Sequence, residues 1–385
     1  MHEHDHLETS TKQTSPLTWM RLCGDYGAPY GSRQQGRKPV LIHKRLIWGT
    51  AARSSAFAIG LGVLLSLATP LHADTHTDTI DARWNEGSAD CAKSPGPPLK
   101  VRHYDPQTVI LREGLCATSE APFMYLLIGT TKALLIDTGD VEDPQKVALA
   151  TAVIQQLPEN GSARLPLLVV HTHRHLDHRA GDPQFQALPN TQVVGFDLDS
   201  VKKFYNFTNW PNGSAQLDLG ERTVDVIPTP GHNETEVSFY DRNSGLVFSG
   251  DFLMPARILV DDADAYRLST ARLLDFLHNR PVTAFLGGHI EMDAQGKLFD
   301  WQSPYHPHEH TLQLTLKDLQ ALSAALPRFN GFYTESGGFT MMNSIHILIA
   351  MACCVALVLI AVTWLIIRYF RRRRGLRFDR ERITL

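Results

Sequence analysis

Residues 166–182 read PLLVVHTHRHLDHRAGD, an apolar, β-branched run that ends in four histidines and Asp177. A buried strand that stops there delivers imidazoles to the mouth of a sheet. Nitrogen and oxygen donors of this kind hold zinc and similar cations, and a catalytic site leaves one coordination position for water. His173 and His175 have the i, i+2 spacing of two ligands on one side of a chain that has just left a strand. Asp177 and His178 follow after one spacer, where a turning chain points them to a second position beside the first. One cation cannot use all four compactly, whereas two can.

Two cations need further donors, and other strand ends supply them. His232 follows a Pro-Gly turn in PTPGHNETE, Asp251 ends GLVFSGD, and His289 ends TAFLGGH. A carboxylate such as Asp251 can bridge two cations through its two oxygens. Each of the three stands next to glycine, where the backbone turns sharply. Any one of these residues alone reads as an ordinary surface or satisfied side chain. Seven in this order read as a site.

The motif H-x-H-x-D-H, followed by a PGH loop, an SGD strand end and a GGH strand end, resembles the metallo-β-lactamase superfamily. The resemblance covers roughly residues 105–300 and includes an early LLIDTG. It implies a four-layer αββα sandwich of two mixed β-sheets. It also implies a dinuclear centre: His173, His175 and His232 on one metal, Asp177, His178 and His289 on the other, and Asp251 bridging. Asp137 of LIDTG would support the site from a neighbouring strand end. Zinc is the expected metal, with iron and manganese tolerated by the same donors.

The implied reaction is metal-assisted hydrolysis, with a hydroxide shared by the two cations attacking an ester, thioester or lactone. Asp177 would orient the nucleophile and move a proton, and is the expected catalytic residue. The aspartate at 251 resembles the glyoxalase II, lactonase and esterase branches; the main antibiotic-degrading branch has cysteine there. Phosphodiester or β-lactam hydrolysis on the same site is the alternative, as is a non-catalytic metal-binding sensor. Glyoxalase II itself continues into a helical glutathione-binding domain, for which the roughly 45 residues between His289 and the next linker leave little room.

Elements must carry these residues to one place. TVILRE, FMYLLIG and KALLIDTG read as three consecutive strands, DPQKVALATAVIQQL as a helix, and PLLVV as the strand before the histidines. TQVVGF, AQLDLG, RTVDVIPTPG, EVSFYD, GLVFSGD and VTAFLGGH read as further strands. Helices are expected in SVKKFYNF, in STARLLDFLHNR with Ser269 as its cap, and in EHTLQLTLKDLQALSAAL. Two mixed sheets with helices on both outer faces accommodate that order.

The 385 residues carry 37 basic and 40 acidic side chains, which gives no polybasic face for nucleic acid. Two apolar stretches bound the middle. SSAFAIGLGVLLSLATPLHAD, with Arg33, Arg37, Lys38, Lys44, Arg45 and Arg53 upstream, reads as a secretory signal over 51–73 cut after Ala73. Residues 1–50 then form an amino-terminal extension, consistent with an over-called start. Residues 345–367 hold no Asp, Glu, Lys or Arg, and only His346 near their start could carry charge; about 23 residues span roughly 34 Å, enough to cross a hydrocarbon core.

RYFRRRRGLRFDRER follows directly, and such an arginine excess marks the cytoplasmic side. The expected order is a linker over 74–100, a hydrolase domain over 101–328, a linker over 329–344, a transmembrane helix over 345–367 and a basic cytoplasmic tail over 368–385. Whether the signal is cleaved or retained, the hydrolase domain faces a non-cytoplasmic space. The expected partners are a small-molecule substrate and the membrane.

In such an oxidising space Cys91 and Cys116 are a candidate disulfide. His171 is expected to support the site rather than ligate. His306, His308 and His310 in SPYHPHEH read as a solvated loop. FYNFTNWPNG, residues 204–213, reads equally as a packed loop or as the wall of an apolar pocket.

Overall fold

The computed structural model describes residue 84, residues 86–160 and residues 163–382, with side chains described as far as residue 372. The extension and the signal expected over 1–73 lie outside these residues.

Fifteen of the strands build two six-stranded sheets and a small three-stranded one. The first large sheet runs β1 (Leu99–Asp105), β2 (Thr108–Glu113), β3 (Phe123–Ile128), β4 (Ala133–Ile136), β7 (Leu167–Val170) and β8 (Thr191–Val193) in that spatial order. β5 (Glu159–Asn160) and β6 (Ala163–Arg164) form only a short hairpin outside it. The second runs β15 (Gln313–Leu314), β14 (Ala284–Gly287), β12 (Leu246–Gly250), β11 (Val237–Asp241), β10 (Thr223–Pro228) and β9 (Ala215–Asp218). Both are mixed: β4–β7–β8 are parallel in the first, and β12–β14 are parallel in the second.

Three apolar layers explain why the strands read as continuous hydrophobic runs rather than as alternating ones. In β2, Ile110 faces the second sheet, whereas Val109 and Leu111 face helix α1 (Leu149–Gln156) and α2 (Pro183–Gln186). In β12, Leu246 and Phe248 face the first sheet and Val247 faces α4 (Ala263–Leu277) and α5 (Leu316–Ala325). Helix, sheet, sheet, helix is therefore the layer order, the αββα sandwich expected. Phe123, Phe239 and Phe248 are wholly buried between the sheets, each contributing about 1.5–3 kcal/mol of transfer free energy. Helix α3 (Leu198–Tyr205) closes one edge of that layer with Val201 and Tyr205. The aromatic stretch 204–213 packs with it: Tyr205 and Phe207 are buried, and Phe204 and Trp210 lie against the same cluster.

Several elements differ from the sequence reading. The last part of the expected 74–100 linker opens β1, an edge strand whose polar residues hid it, and Trp84 is buried edge-on against Phe123. The disulfide between Cys91 and Cys116 ties this leading segment to the loop before β3. Helix α4 starts at Ala263, capped by Asp262, whose carboxylate accepts from the amides of Asp264 and Ala265. Ser269 is instead buried within α4 and donates to the Pro230 carbonyl at 2.7 Å. Helix α5 begins only at Leu316, because Thr315 and Asp318 form a capping box there and residues 313–314 pair with β14.

The largest difference is at 329–344. The expected linker is a hairpin of β16 (Tyr333–Ser336) and β17 (Phe339–Met342), and β17 runs parallel to β13 (Ile258–Leu259). Phe339 and Met341 are buried in the layer beneath α4 and α5. Glycines in the FNGFYTESGGF stretch read as a tether because a tight hairpin and a flexible linker share that composition. Helix α6 (Ser344–Arg382) follows after the single residue Asn343. Its segment Ser344–Arg372 is long and apolar enough to cross a membrane, and its side chains are exposed.

Candidate metal centre

Five strand ends meet at one rim of the sandwich. β4 delivers Asp137, β7 delivers His171 to His173, β10 runs into the Thr229–His232 turn, β12 delivers Asp251, and β14 delivers His289 through Gly288. A short 3₁₀ turn, Leu176–His178, swings Asp177 and His178 back over the rim. Gly231 has φ of 153°, and a Cβ there would lie 2.6 Å from Tyr266, so only glycine lets this turn pass α4.

The seven side chains gather as two groups, His173, His175 and His232, and Asp177, His178, Asp251 and His289. Within each group the donor atoms lie within 4.8 Å of one another. His232 Nε2 is 3.1 Å from His175 Nδ1, and His289 Nε2 is 3.3 Å from His178 Nε2. Asp177 Oδ2 is 3.2 Å from His289 Nε2 and 3.4 Å from His178 Nε2. Asp251 stands between the groups. Its Oδ1 is 3.3 Å from His178 Nε2 and 3.5 Å from His289 Nε2, while its Oδ2 is 3.6 Å from His232 Nε2.

The outer nitrogens explain which way each ring points. His178 Nδ1 is 2.9 Å from Asp137 Oδ2, His289 Nδ1 is 2.7 Å from the Glu120 carbonyl, and His232 Nδ1 is 3.3 Å from the Leu259 carbonyl. Each therefore donates outward, and its Nε2 points into the site. In the His178–His289 pair the two Nε2 atoms face each other across 3.3 Å. A cation between them would displace their protons and be coordinated by both. His173 Nε2 and Asp251 Oδ1 are fully buried and make no hydrogen bond, which a buried polar atom otherwise avoids. A Cβ at Gly288 would lie 2.3 Å from Asp251 Oδ1 and 2.8 Å from His178 Cε1, so the absence of a side chain there keeps the cradle open. The donor set, the two orphaned atoms and the cradle all fit divalent metal.

Electrostatics divide the two groups. Burial and the neighbouring imidazoles hold His173 well below the usual histidine range, and burial and His232 hold His175 near 4. His173 and His175 therefore offer neutral nitrogens. In the other group, burial opposes charge on the rings, but the carboxylates of Asp251 and Asp177 outweigh it. They raise His178 well above its usual range and His289 to about 10. Burial likewise opposes ionisation of Asp177 and Asp251, and the adjacent imidazoles overcome it and keep both pKa values low. A buried and a partly buried carboxylate in contact with imidazoles are an environment that accepts cations.

Residues 118–321, just over half the chain, match the family described as the Metallo-beta-lactamase superfamily. The chain belongs to this superfamily. Among relatives in the superfamily, an acyl-coenzyme A thioesterase MBLAC2 from Gallus gallus is 24% identical over 218 residues, 47% of this chain and 77% of its own length. A hydroxyacylglutathione hydrolase from a Synechococcus strain is 30% identical over 138 residues, 34% of this chain and 48% of its own. Among solved structures, a metallo-beta-lactamase from Pontibacter korlensis aligns over 60% of this chain and all of its own, with 16% identity and a TM-score of 0.39. The superfamily and the relatives named as a thioesterase and a hydroxyacylglutathione hydrolase are consistent with a metal-dependent hydrolase.

Asp137 directly follows β4, with Oδ1 accepting from the Thr172 amide at 2.7 Å and Oδ2 from the Thr172 hydroxyl at 2.9 Å. His171 is buried against Asp182 at 2.8 Å and outside both groups. His306, expected to be solvated, is buried instead: it stacks on Phe299 at 4.2 Å and lies 3.3 Å from Glu309, because the loop folds back under Glu86. His308 is exposed and His310 partly so.

Sequence reasoning missed Thr172, Asn233 and Thr235. Asn233 Nδ2 lies 3.1 Å from His175 Nε2, its Oδ1 accepts from Thr235, and the Thr235 hydroxyl accepts the Arg174 amide. Their adjacency to the histidines was the available signal. The Glu120 and Leu259 carbonyls carried none, since any residue supplies one.

Proposed function

We propose that this protein is a membrane-anchored, dinuclear metallohydrolase that cleaves a small ester, thioester or lactone. The observation that carries the reading is Asp251, whose two oxygens face the two donor groups separately. His173, His175 and His232 would hold one cation, Asp177, His178 and His289 the other, and Asp251 would bridge them. Two divalent cations, zinc first among them, would lower the pKa of a shared water toward neutrality and polarise the scissile carbonyl.

The chain's own groups do the rest. Asp177 is the only carboxylate of the site with appreciable exposure, 22% of its side chain against 8% for Asp251. It is the group that meets an incoming water and carries its proton. Asp137 holds His178 by its outer nitrogen, and the Glu120 carbonyl does the same for His289, which keeps both rings aimed. Leu176 is half exposed between His175 and Asp177 and gives the mouth an apolar lip.

The apolar segment of α6 would cross the membrane once, with Arg368, Arg371 and Arg372 on the cytoplasmic side and the sandwich on the other. A disulfide between Cys91 and Cys116 suits that oxidising side. The relatives named as a thioesterase and a hydroxyacylglutathione hydrolase favour a thioester among the three substrate classes.

The test is metal analysis of the purified full-length protein together with turnover of a panel of thioesters, lactones, esters, a β-lactam and a phosphodiester. About two metals per chain and fastest turnover of a thioester or lactone are expected. Two metals with no turnover of any substrate would favour the sensor reading, and a β-lactam or phosphodiester preference would reassign the substrate.

A further inference from the structure

We propose that the substrate of this site is held in the bilayer surface, as a thioester or ester that carries a long hydrocarbon chain; this rests on the metallohydrolase reading above. A short run of hydrogen bonds joins the metal centre to the candidate span. The Leu259 carbonyl accepts from His232 Nδ1 at 3.3 Å. The carbonyl of the next residue, Val260, accepts from Asn343 Nδ2 at 2.9 Å. Asn343 Oδ1 in turn accepts the amide of His346 in the first turn of α6, also at 2.9 Å. A donor histidine of the site and the cap of the span therefore hang from the carbonyls of two consecutive residues, Leu259 and Val260. Adjacent Cα atoms are about 3.8 Å apart, so the path from the His232 ring through Asn343 to the first turn of α6 is about 15 Å.

That junction is stiff. β13 and β17 pair in parallel through Ile258–Met341 and Leu259–Met342, and the Val260 amide donates to the Met342 carbonyl at 2.8 Å. Asn343 is buried, and Phe339 and Met341 are packed in the core. The Asp261 carboxylate lies within electrostatic reach of His232, of Arg174 and of His346 at once. The apolar run of α6 starts at Ile345, two residues after Asn343. No slack chain lets the sandwich lift away from the membrane.

The surface beside the junction suits an interface. Phe332 and Tyr333, at the start of the β16–β17 hairpin, are each 47% exposed. The Phe332 ring is 5.8 Å from the His346 ring, and the Gly331 carbonyl accepts from His346 Nδ1 at 2.8 Å. Amphipathic aromatics collect at the headgroup level of a bilayer. One side of the headgroup region is about 5–8 Å deep, so a site at most about 15 Å from the start of the apolar helix stands close above its outer edge. A freely soluble substrate gains nothing from that placement. An acyl chain does, because its methylenes stay in the hydrocarbon while its reactive carbonyl reaches the headgroup boundary. Half-exposed Leu176 then covers the first part of the chain at the mouth.

The experiment uses the full-length protein in phospholipid vesicles and two probes, the acetyl and the palmitoyl thioester of N-acetylcysteamine. The variant carries a flexible Gly-Ser insertion of about fifteen residues between Asn343 and Ser344. The wild type should turn over the vesicle-borne palmitoyl probe at least about tenfold more efficiently than the acetyl probe. The insertion should lower palmitoyl turnover by about tenfold or more while acetyl turnover and metal content are unchanged. The double variant Phe332→Ser and Tyr333→Ser replaces exposed rings and tests the same surface without altering the junction. It should raise KM for the palmitoyl probe several-fold at nearly constant kcat. Equal efficiency on the two probes, or a palmitoyl rate that neither variant changes by more than about twofold, overturns the proposal. No turnover of either probe by a metal-loaded wild type overturns the thioesterase reading with it, and is told apart by the loss of the acetyl signal.

Discussion

Asp137 and His178 meet in the protein interior, with the carboxylate Oδ2 2.9 Å from the ring Nδ1. Asp137 adopts φ of 66° to do so, a left-handed conformation that aspartate tolerates better than most residues. Its two oxygens also take both Thr172 donors, so one side chain ties the ends of β4 and β7 to a ring of the metal centre. On the dinuclear reading, Asp137→Asn should weaken binding of one cation by about 10- to 100-fold, the usual effect of removing such an outer partner. Competition with a chromophoric chelator measures it, and an unchanged affinity would show that Asp137 serves only the strand ends.

On the same reading, His175→Ala should halve the metal content, because it removes a donor from one group and leaves the other four side chains in place. Turnover should fall by about 100-fold or more, the scale of losing one preorganised electrostatic contact in a site of this kind. Inductively coupled plasma measurements and thioester kinetics on the same preparation check both. A variant that kept two metals would place His175 outside the centre.

Away from the rim, Arg112 and Glu309 form a bidentate ion pair at 2.6 Å, with side chains only 1% and 5% exposed. It pins the loop around His306 to β2. Burial opposes ionisation of Glu309, but Arg112 and His306 overcome it and hold the carboxyl below its usual value. Its contribution is therefore present above the unfolded pKa near 4.5 and is lost as pH falls below that. Arg112→Ala leaves a buried charge unpaired and should cost about 3–5 kcal/mol. For a domain of this size that is on the order of 10 °C in Tm. Arg112→Met with Glu309→Leu should recover most of it, and calorimetry at neutral pH decides.

Glu113 behaves in the opposite sense. Its oxygens accept the amides of Asp140 and Val141 at 3.0 and 3.3 Å, yet burial pushes its pKa up to about 8. A carboxyl raised on folding binds its proton more tightly in the folded chain. Its contribution is full below pH 4.5 and declines as pH rises toward 8. Glu113→Gln should flatten the fall of Tm between pH 5 and 8 by a few °C, as about 1 kcal/mol moves Tm by roughly 2–4 °C here. A slope identical to wild type would assign that pH dependence to other groups.

Much of this was legible in the sequence because the signals were local. Apolar runs such as PLLVV and GLVFSGD mark strands buried on both faces, and their ends carry the donors. Polar edge strand β1 and the start of α4 were not legible. The first has little apolar content, and the second has a cap, Asp262, seven residues before the one that seemed most suitable.

By its residue types and their order, the sequence determined that seven donors end strands, that the fold is a two-sheet sandwich, and that an apolar helix leads into arginines. Only the tertiary structure decided that Asp251 faces both groups, that two backbone carbonyls aim His289 and His232, and that the hairpin at 333–342 joins the core instead of a flexible tether. The reason is physical: side-chain chemistry and periodicity are written along the chain. Distances between strand ends and the choice of a carbonyl partner arise only when the sheets pack.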